Sequence, residues 1–416
     1  MTQQLQNVGT DAETRAVSGF GVCTRSCRPW DRALPARTAV AAHLGARASS
    51  RLARGGAVAA LLASLLPALA PAADWPCFRG GPPATGVAAS LLPANLRKLW
   101  TYETGSEIKS TAAVVGDTVY VGVVKNALLA LRLSDGRKLW ASPTGNRVSG
   151  SPCVIGGTVY VGDEGGTVYA VNAANGQRRW TFKTDGEVIS SPTPVPGAIL
   201  VGSYDTQLYK LDASTGRKLW AFRSDAQVHC SPCVVSGLVV IAGCDGKVRM
   251  IDLATGRQRA AADIGPNFAA TPAYSAGCVF VGGLGGEYLA IRLADAKVMW
   301  KVIAAANGGA AYASAAVQGD AVIFASRNHT VFRLDRATGH TVWLFRTKDQ
   351  VESSPVIVGN RVFFGCDDGN LYAVDLATGH EVWRFAAGAG ISASPAIGQS
   401  RLIVGTLDGA IYGFGA

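Results

Sequence analysis

From Arg97 onward, short apolar runs alternate with turn-forming pairs, and no window of a dozen residues keeps a helical period. One stretch shows the grammar: Val351-Glu-Ser-Ser-Pro-Val-Ile-Val, a Gly359-Asn turn, Arg361-Val-Phe-Phe-Gly365, then Asp368-Gly369, Leu371-Tyr-Ala-Val-Asp375, Thr378-Gly379 and Val382-Trp-Arg-Phe385. Four runs rich in β-branched and aromatic residues, joined by turn pairs, predict a four-stranded antiparallel meander. Asp-Gly at 245–246, 368–369 and 408–409 suits tight hairpins, because glycine tolerates positive φ.

The meander recurs with a period of 40: Trp100, Trp140, Trp180 and Trp220, then Ala260, then Trp300, Trp343 and Trp383. A three-residue insertion in the sixth unit accounts for the one change of spacing. A glycine lies four positions ahead of most slots, at Gly136, Gly176, Gly216, Gly256, Gly339 and Gly379. Residues 97–416 hold eight such units. Four strands per unit at this period predict an all-β, eight-bladed β-propeller with four antiparallel strands per blade. The seven tryptophans are structural docking residues, wide rings on outermost strands that fill the wedge between blades. The chain enters at Leu96-Arg-Lys-Leu-Trp100, which reads as an outermost strand, and stops at Ile411-Tyr-Gly-Phe414, which reads as a third strand. Closure of the ring is therefore expected by pairing 98–103 beside 410–414, which removes a reactive sheet edge.

Ahead of the repeats the pattern changes. Arg51 and Arg54 precede an apolar run, Ala57 to Leu66, followed by A-x-A at 68–70 or 70–72, the layout of a secretory signal. Residues 51–73 are read as a signal peptide and 1–50 as an extension that is disordered or begins at an upstream start. Residues 74–96 are read as a leader packed on the propeller. Cleavage near 70–73 would deliver a periplasmic or secreted protein. No apolar run reaches the ~18 residues of a membrane-spanning helix.

The net charge of +10 changes little, since half of it sits in the first seventy-three residues and no Lys/Arg block occurs in the repeats. Nucleic acid is not an expected partner. Cys230-Ser-Pro-Cys233 has C-x-x-C spacing, but no second pair or following histidine supports zinc or haem. Cys244 and Cys366 are read in one repeat column, and Cys153 and Cys233 in another.

The block Ala373-x-Asp375-x-x-x-Gly379-x-x-x-Trp383, repeated at Ala170-x-Asn172-x-x-x-Gly176-x-x-x-Trp180, resembles the tryptophan-docking motif of PQQ-like (pyrroloquinoline-quinone-type) β-propeller repeats. Asp74-Trp-Pro-Cys-Phe-Arg-Gly80 with Thr85-Gly86-Val87 is similar to the leader of secreted bacterial members. A more distant resemblance is to the propeller lipoproteins of outer-membrane β-barrel assembly, although Cys77 follows Asp74-Trp-Pro and not a small-residue lipobox. The resemblance to quinoprotein dehydrogenases implies PQQ with calcium, an adjacent Cys-Cys pair, a Glu/Asn calcium site and a catalytic Asp. No two cysteines are adjacent here and no calcium loop is written, so no cofactor, metal or catalytic residue is expected.

Candidate chemistry sits near the axis. Thr111, Ser151, Ser191, Ser231, Thr271, Ser314, Ser354 and Ser394 form one column, all hydroxyls, at positions where crowding favours small side chains. Two residues earlier stand Lys109, Ser149, Ile189, His229, Ala269, Tyr312, Glu352 and Ser392. Alternation points both columns the same way, so Lys109, His229, Tyr312 and Glu352 are the candidate binding residues of one channel mouth. The expected function is a non-catalytic, exported binding or assembly scaffold, a monomer whose partners are envelope or secreted proteins or polysaccharide. The alternatives are a PQQ-dependent dehydrogenase of alcohols or sugars and an outer-membrane protein assembly factor.

Overall fold

Eight four-stranded antiparallel sheets follow one another along the chain, each a blade, and one 3₁₀ turn at Phe78–Gly80 is the sole helical element among the described residues. The computed structural model describes residues 73–265, 267–303 and 309–416. The proposed extension and all but the last residue of the proposed signal peptide lie outside them.

The second blade is representative, with strands Cys153–Ile155, Thr158–Gly162, Thr167–Asn172 and Arg178–Lys183, counted from the axis outward. Its two middle strands are almost wholly buried, because a neighbouring blade covers each face, and they read as continuous apolar runs. The outermost strand alternates exposed and half-buried positions. The ring closes as the termini predict. Arg97–Glu103 pairs antiparallel with Ala410–Gly415, setting Thr101 opposite Tyr412 and Tyr102 opposite Ile411. The eighth blade is thus built from both ends of the repeat region.

Each outer tryptophan reaches the next blade. The indole Nε1–H of Trp100 donates to Leu133 O at 2.8 Å, Trp140 to Ala173 O at 3.0 Å, and Trp180 to Ala213 O at 3.0 Å. Trp220, Trp300 and Trp343 repeat the bond to Leu253, Arg336 and Leu376 at 2.9–3.1 Å. Tyr120 and Tyr160 hydroxyls donate to two of these same carbonyls. The glycine of each turn lies under the indole of the preceding blade, not of its own. A Cβ at Gly176, where φ is +73°, would stand 2.7 Å from the Trp140 ring. Where Ala260 replaces the tryptophan, the next blade's glycine is also replaced, by Ala296 at φ +58°. The pair is lost together. Trp383 faces the last blade and meets Phe414 edge-on, with ring centroids 5.6 Å apart.

The leader runs around the inside of this ring. The middle residue of most innermost strands has an N–H directed at the axis, and leader carbonyls accept these bonds in order. Val114 donates to Trp75 O, Val154 to Pro76 O, Val234 to Pro82 O, Tyr274 to Pro83 O, Val317 to Thr85 O and Ile357 to Gly86 O, at 2.7–3.0 Å. The third blade presents Pro194 at this position, which has no N–H to satisfy. The leader makes its Phe78–Gly80 turn between the bonds to the second and fourth blades. Inner edges that would otherwise leave buried donors unpaired are thereby capped.

The indole–glycine contact is separable from backbone strain. Gly197 also holds positive φ, +68°, but its Cβ position is open. In urea unfolding, Gly197→Ala should lose about 1 kcal/mol, the left-handed penalty alone. Gly176→Ala should lose a further ~1–3 kcal/mol, because the indole must move. Equal losses would contradict the docking role of this contact.

Candidate functional site

The hydroxyl column forms a closed girdle. The backbone N–H of Thr111 donates to Ser151 Oγ at 3.0 Å, Ser151 to Ser191 at 2.9 Å, and Ser191 to Ser231 at 3.0 Å. Ser231 continues to Thr271, Thr271 to Ser314, Ser314 to Ser354 and Ser354 to Ser394, at 2.9–3.0 Å. Ser394 returns to Thr111 Oγ1 at 3.3 Å. Every blade is therefore tied to the next at its inner end, and all eight hydroxyls are engaged as acceptors.

Immediately outside the girdle lies a polar cavity of about 150 Å³ whose lining includes Lys109, His229, Tyr312 and Glu352. The same space takes in Ser149, Ile189, Ala269 and Ser392, and the Phe78 ring of the leader. The leader thus contributes to the wall of the pocket, a part that repeat alignment does not supply.

Most of the lining polar groups are paired with neighbours, while Ser392 Oγ is buried without a partner. Lys109 Nζ lies 3.3 Å from Glu107, with both side chains about half exposed. Ser149 Oγ donates to Glu164. His229 Nδ1 is 2.6 Å from the Tyr204 hydroxyl, and burial lowers its pKa from the ordinary 6.5. Tyr312 carries the Arg327 guanidinium over its ring at 4.0 Å, and Arg327 forms an ion pair with Glu352. Asp367 accepts from Gln350 Nε2 at 2.9 Å while its other oxygen is buried without a partner, and burial raises its carboxyl pKa. Lys109 and Glu352 are the charged residues of the lining itself, and Glu107, Glu164 and Arg327 stand around it, each paired with a lining side chain.

Sequence alignment of the innermost strands brings the four candidate residues to one cavity but misses Phe78, Glu164, Tyr204, Arg327 and Asp367. Four of these occupy one column of hairpin tips, each two residues before a positive-φ turn residue, Gly166, Thr206, His329 or Gly369. A second alignment on those hairpins would have found them. The same register corrects the cysteine columns. Cys366 N–H bonds Asn370 O as Gly243 N–H bonds Lys247 O, so Cys366 shares the slot of Gly243 and Cys244 that of Asp367. The three-residue insertion hides this. The C-x-x-C cysteines have separate partners: Cys230 Sγ accepts from Ala242 N–H at 3.3 Å, and Cys233 Sγ faces Pro83 O at 3.4 Å. Among the described residues no group of three or more His, Cys, Asp or Glu side chains is placed to hold a metal ion.

Fold and pocket define an eight-bladed β-propeller with a leader segment bound along its inner edges. Stretches 134–345, 244–384 and 327–416 match the family model described as outer membrane protein assembly factor BamB. Together they span more than half of the chain, which belongs to this family of PQQ-like propellers. The sequence matches no curated protein. Among solved structures, BamB from Moraxella catarrhalis superposes with a TM-score of 0.69 at 16% identity, over 77% of this chain and 100% of that one. A europium-containing methanol dehydrogenase gives 0.73 at 14% identity, over 83% and 98%. The quinohemoprotein alcohol dehydrogenase from Comamonas testosteroni gives 0.70 at 15%, over 82% and 80%. At these identities the likeness establishes the fold.

Burial of neutral His229 has a pH signature. Its folded-state pKa lies below the unfolded value, so the folded protein binds fewer protons there, and stability falls as pH drops below about 6.5. The thermal midpoint should decline between pH 7.5 and 5.5 in the wild type, and His229→Gln should flatten that decline. Carboxylates with lowered pKa values, such as Asp225 and Asp375, act only below about pH 4. An unchanged slope in the variant would contradict the burial of His229.

Proposed function

We propose that this protein is a non-catalytic, exported binding scaffold of the cell envelope, and that its axial pocket receives a cationic segment of a protein partner. The observation that carries the reading is the pairing of the pocket's own groups. Its eight girdle hydroxyls accept from neighbouring backbone, its imidazole is neutral and bonded to Tyr204, and its lining cation is held by a carboxylate. The carboxylates at and around the pocket, Glu164, Glu352 and Asp367, beside the aromatic faces of Tyr312 and Phe78, would suit lysine, arginine or a terminal amine. The family description and the BamB likeness support a protein partner and an assembly role.

The dehydrogenase likenesses raise the alternative of a quinoprotein. PQQ is a rigid tricyclic tricarboxylate, and a bound calcium would have to offset its charge. The pocket residues do not fit it. The lining cation Lys109 is already ion-paired, as is Arg327 beside the lining, the lining carboxylate Glu352 would repel a tricarboxylate, and the girdle hydroxyls accept from backbone.

Affinity capture from the native envelope tests the reading. A specific envelope protein should be retained by the wild type, released in about 0.5 M salt, and lost from Glu164→Gln/Asp367→Asn. Dye reduction with alcohols or sugars should stay at background when PQQ and calcium are supplied. Turnover of an alcohol, or capture indifferent to both salt and the double variant, would overturn it. Charge-independent retention on a glycan column would also count against it and favour a polysaccharide ligand.

A further inference from the structure

Two thiols meet where the leader crosses the second blade. The bond from Val154 N–H to Pro76 O, 2.8 Å long, joins the residue after Cys153 to the residue before Cys77. Both side chains are buried, Cys77 at 2% exposure and Cys153 at 0%. Cys77, as the nearest influence, together with burial pushes the Cys153 thiol well up. No other cysteine of the leader competes for Cys153, since Cys77 is the only one between residues 74 and 96.

We propose that Cys77 and Cys153 form a disulfide that locks the leader against the second blade. The proposal rests on the exported reading above for its oxidising compartment. The oxidant is a small-molecule or protein disulfide. One cysteine thiolate attacks it, giving a mixed disulfide and releasing one thiolate. The second cysteine, deprotonated, attacks the mixed disulfide, forms the Cys77–Cys153 bond and releases the second thiolate. Two electrons pass to the oxidant, and two protons leave the cysteines. Once the leader is seated, Cys153 is a buried, protonated thiol, so the bond forms as the leader docks. The leader bonds to at least six blades through backbone alone, and the disulfide makes its placement covalent at the point where it turns into the pocket wall.

The remaining five cysteines of the described residues, Cys230, Cys233, Cys244, Cys278 and Cys366, are expected to stay as free thiols. The test is refolding of the full chain in a glutathione redox buffer, followed by alkylation in denaturant and non-reducing peptide mapping. A linked peptide joining Cys77 to Cys153 as the main product, with the oxidised protein melting several degrees above its reduced form, supports the proposal. Both thiols alkylated after oxidative refolding would overturn it, as would a dominant pairing with another cysteine. Cys77→Ser should remove the linked peptide without creating a new one. The same mapping on protein trapped by acid from its native host separates the two readings. A bond made in vitro but thiols free in the cell upholds the pairing and locates the failure in the exported reading.

Discussion

A circle of eight hydrogen bonds around the axis, each from a backbone N–H of one blade to a hydroxyl of the next, is the constraint on which the rest of the molecule depends. One such bond contributes about 1 kcal/mol net, but a buried amide left without its acceptor costs more. The relay is therefore most effective when it is complete. That explains why all eight positions hold serine or threonine, including the units where the outer motif is altered. It also explains why these hydroxyls, the most prominent candidates for chemistry in the sequence, are structural.

The perimeter and the axis solve the same problem at different radii. A blade is too thin to cover its own apolar faces, so both middle strands rely on neighbours. Indoles secure the outer contact by reaching a carbonyl 33 residues on in most blades, over a glycine that leaves room for the ring. At the centre, splayed inner strands leave amides facing a narrow space, and the leader's carbonyls meet them. Pro194 shows the logic by exception, since the one strand with no N–H at that position sits where the leader turns. The pocket follows from this arrangement: girdle on one side, Phe78 in its wall, and a rim of hairpin tips supplying charge.

Features written in the repeat are legible in the sequence, and features that break it are not. The period, the four strands, the closing pair and the column containing Lys109, His229, Tyr312 and Glu352 all follow from register. Partners of those residues belong to a neighbouring hairpin tip, so Arg327 with Glu352 and Tyr204 with His229 emerge only when blades are placed side by side. The leader has no periodicity and binds through carbonyls that every residue type possesses. Its path, the position of Phe78 and the meeting of Cys77 with Cys153 leave no mark in composition or spacing. With the three-residue insertion of the sixth unit counted, Cys366 falls one residue short of the slot of Cys244, which is how it is misassigned.

Hydrogen exchange of the eight girdle amides tests the central claim most directly. If the relay closes the ring, the amides of Ser394 and Thr111, on either side of the seam between the last and first blades, should exchange as slowly as those of Ser191 and Ser231, within about tenfold and only through global unfolding. Seam amides exchanging ~100-fold faster while the opposite blades stay protected would describe an open arc, and would contradict the account.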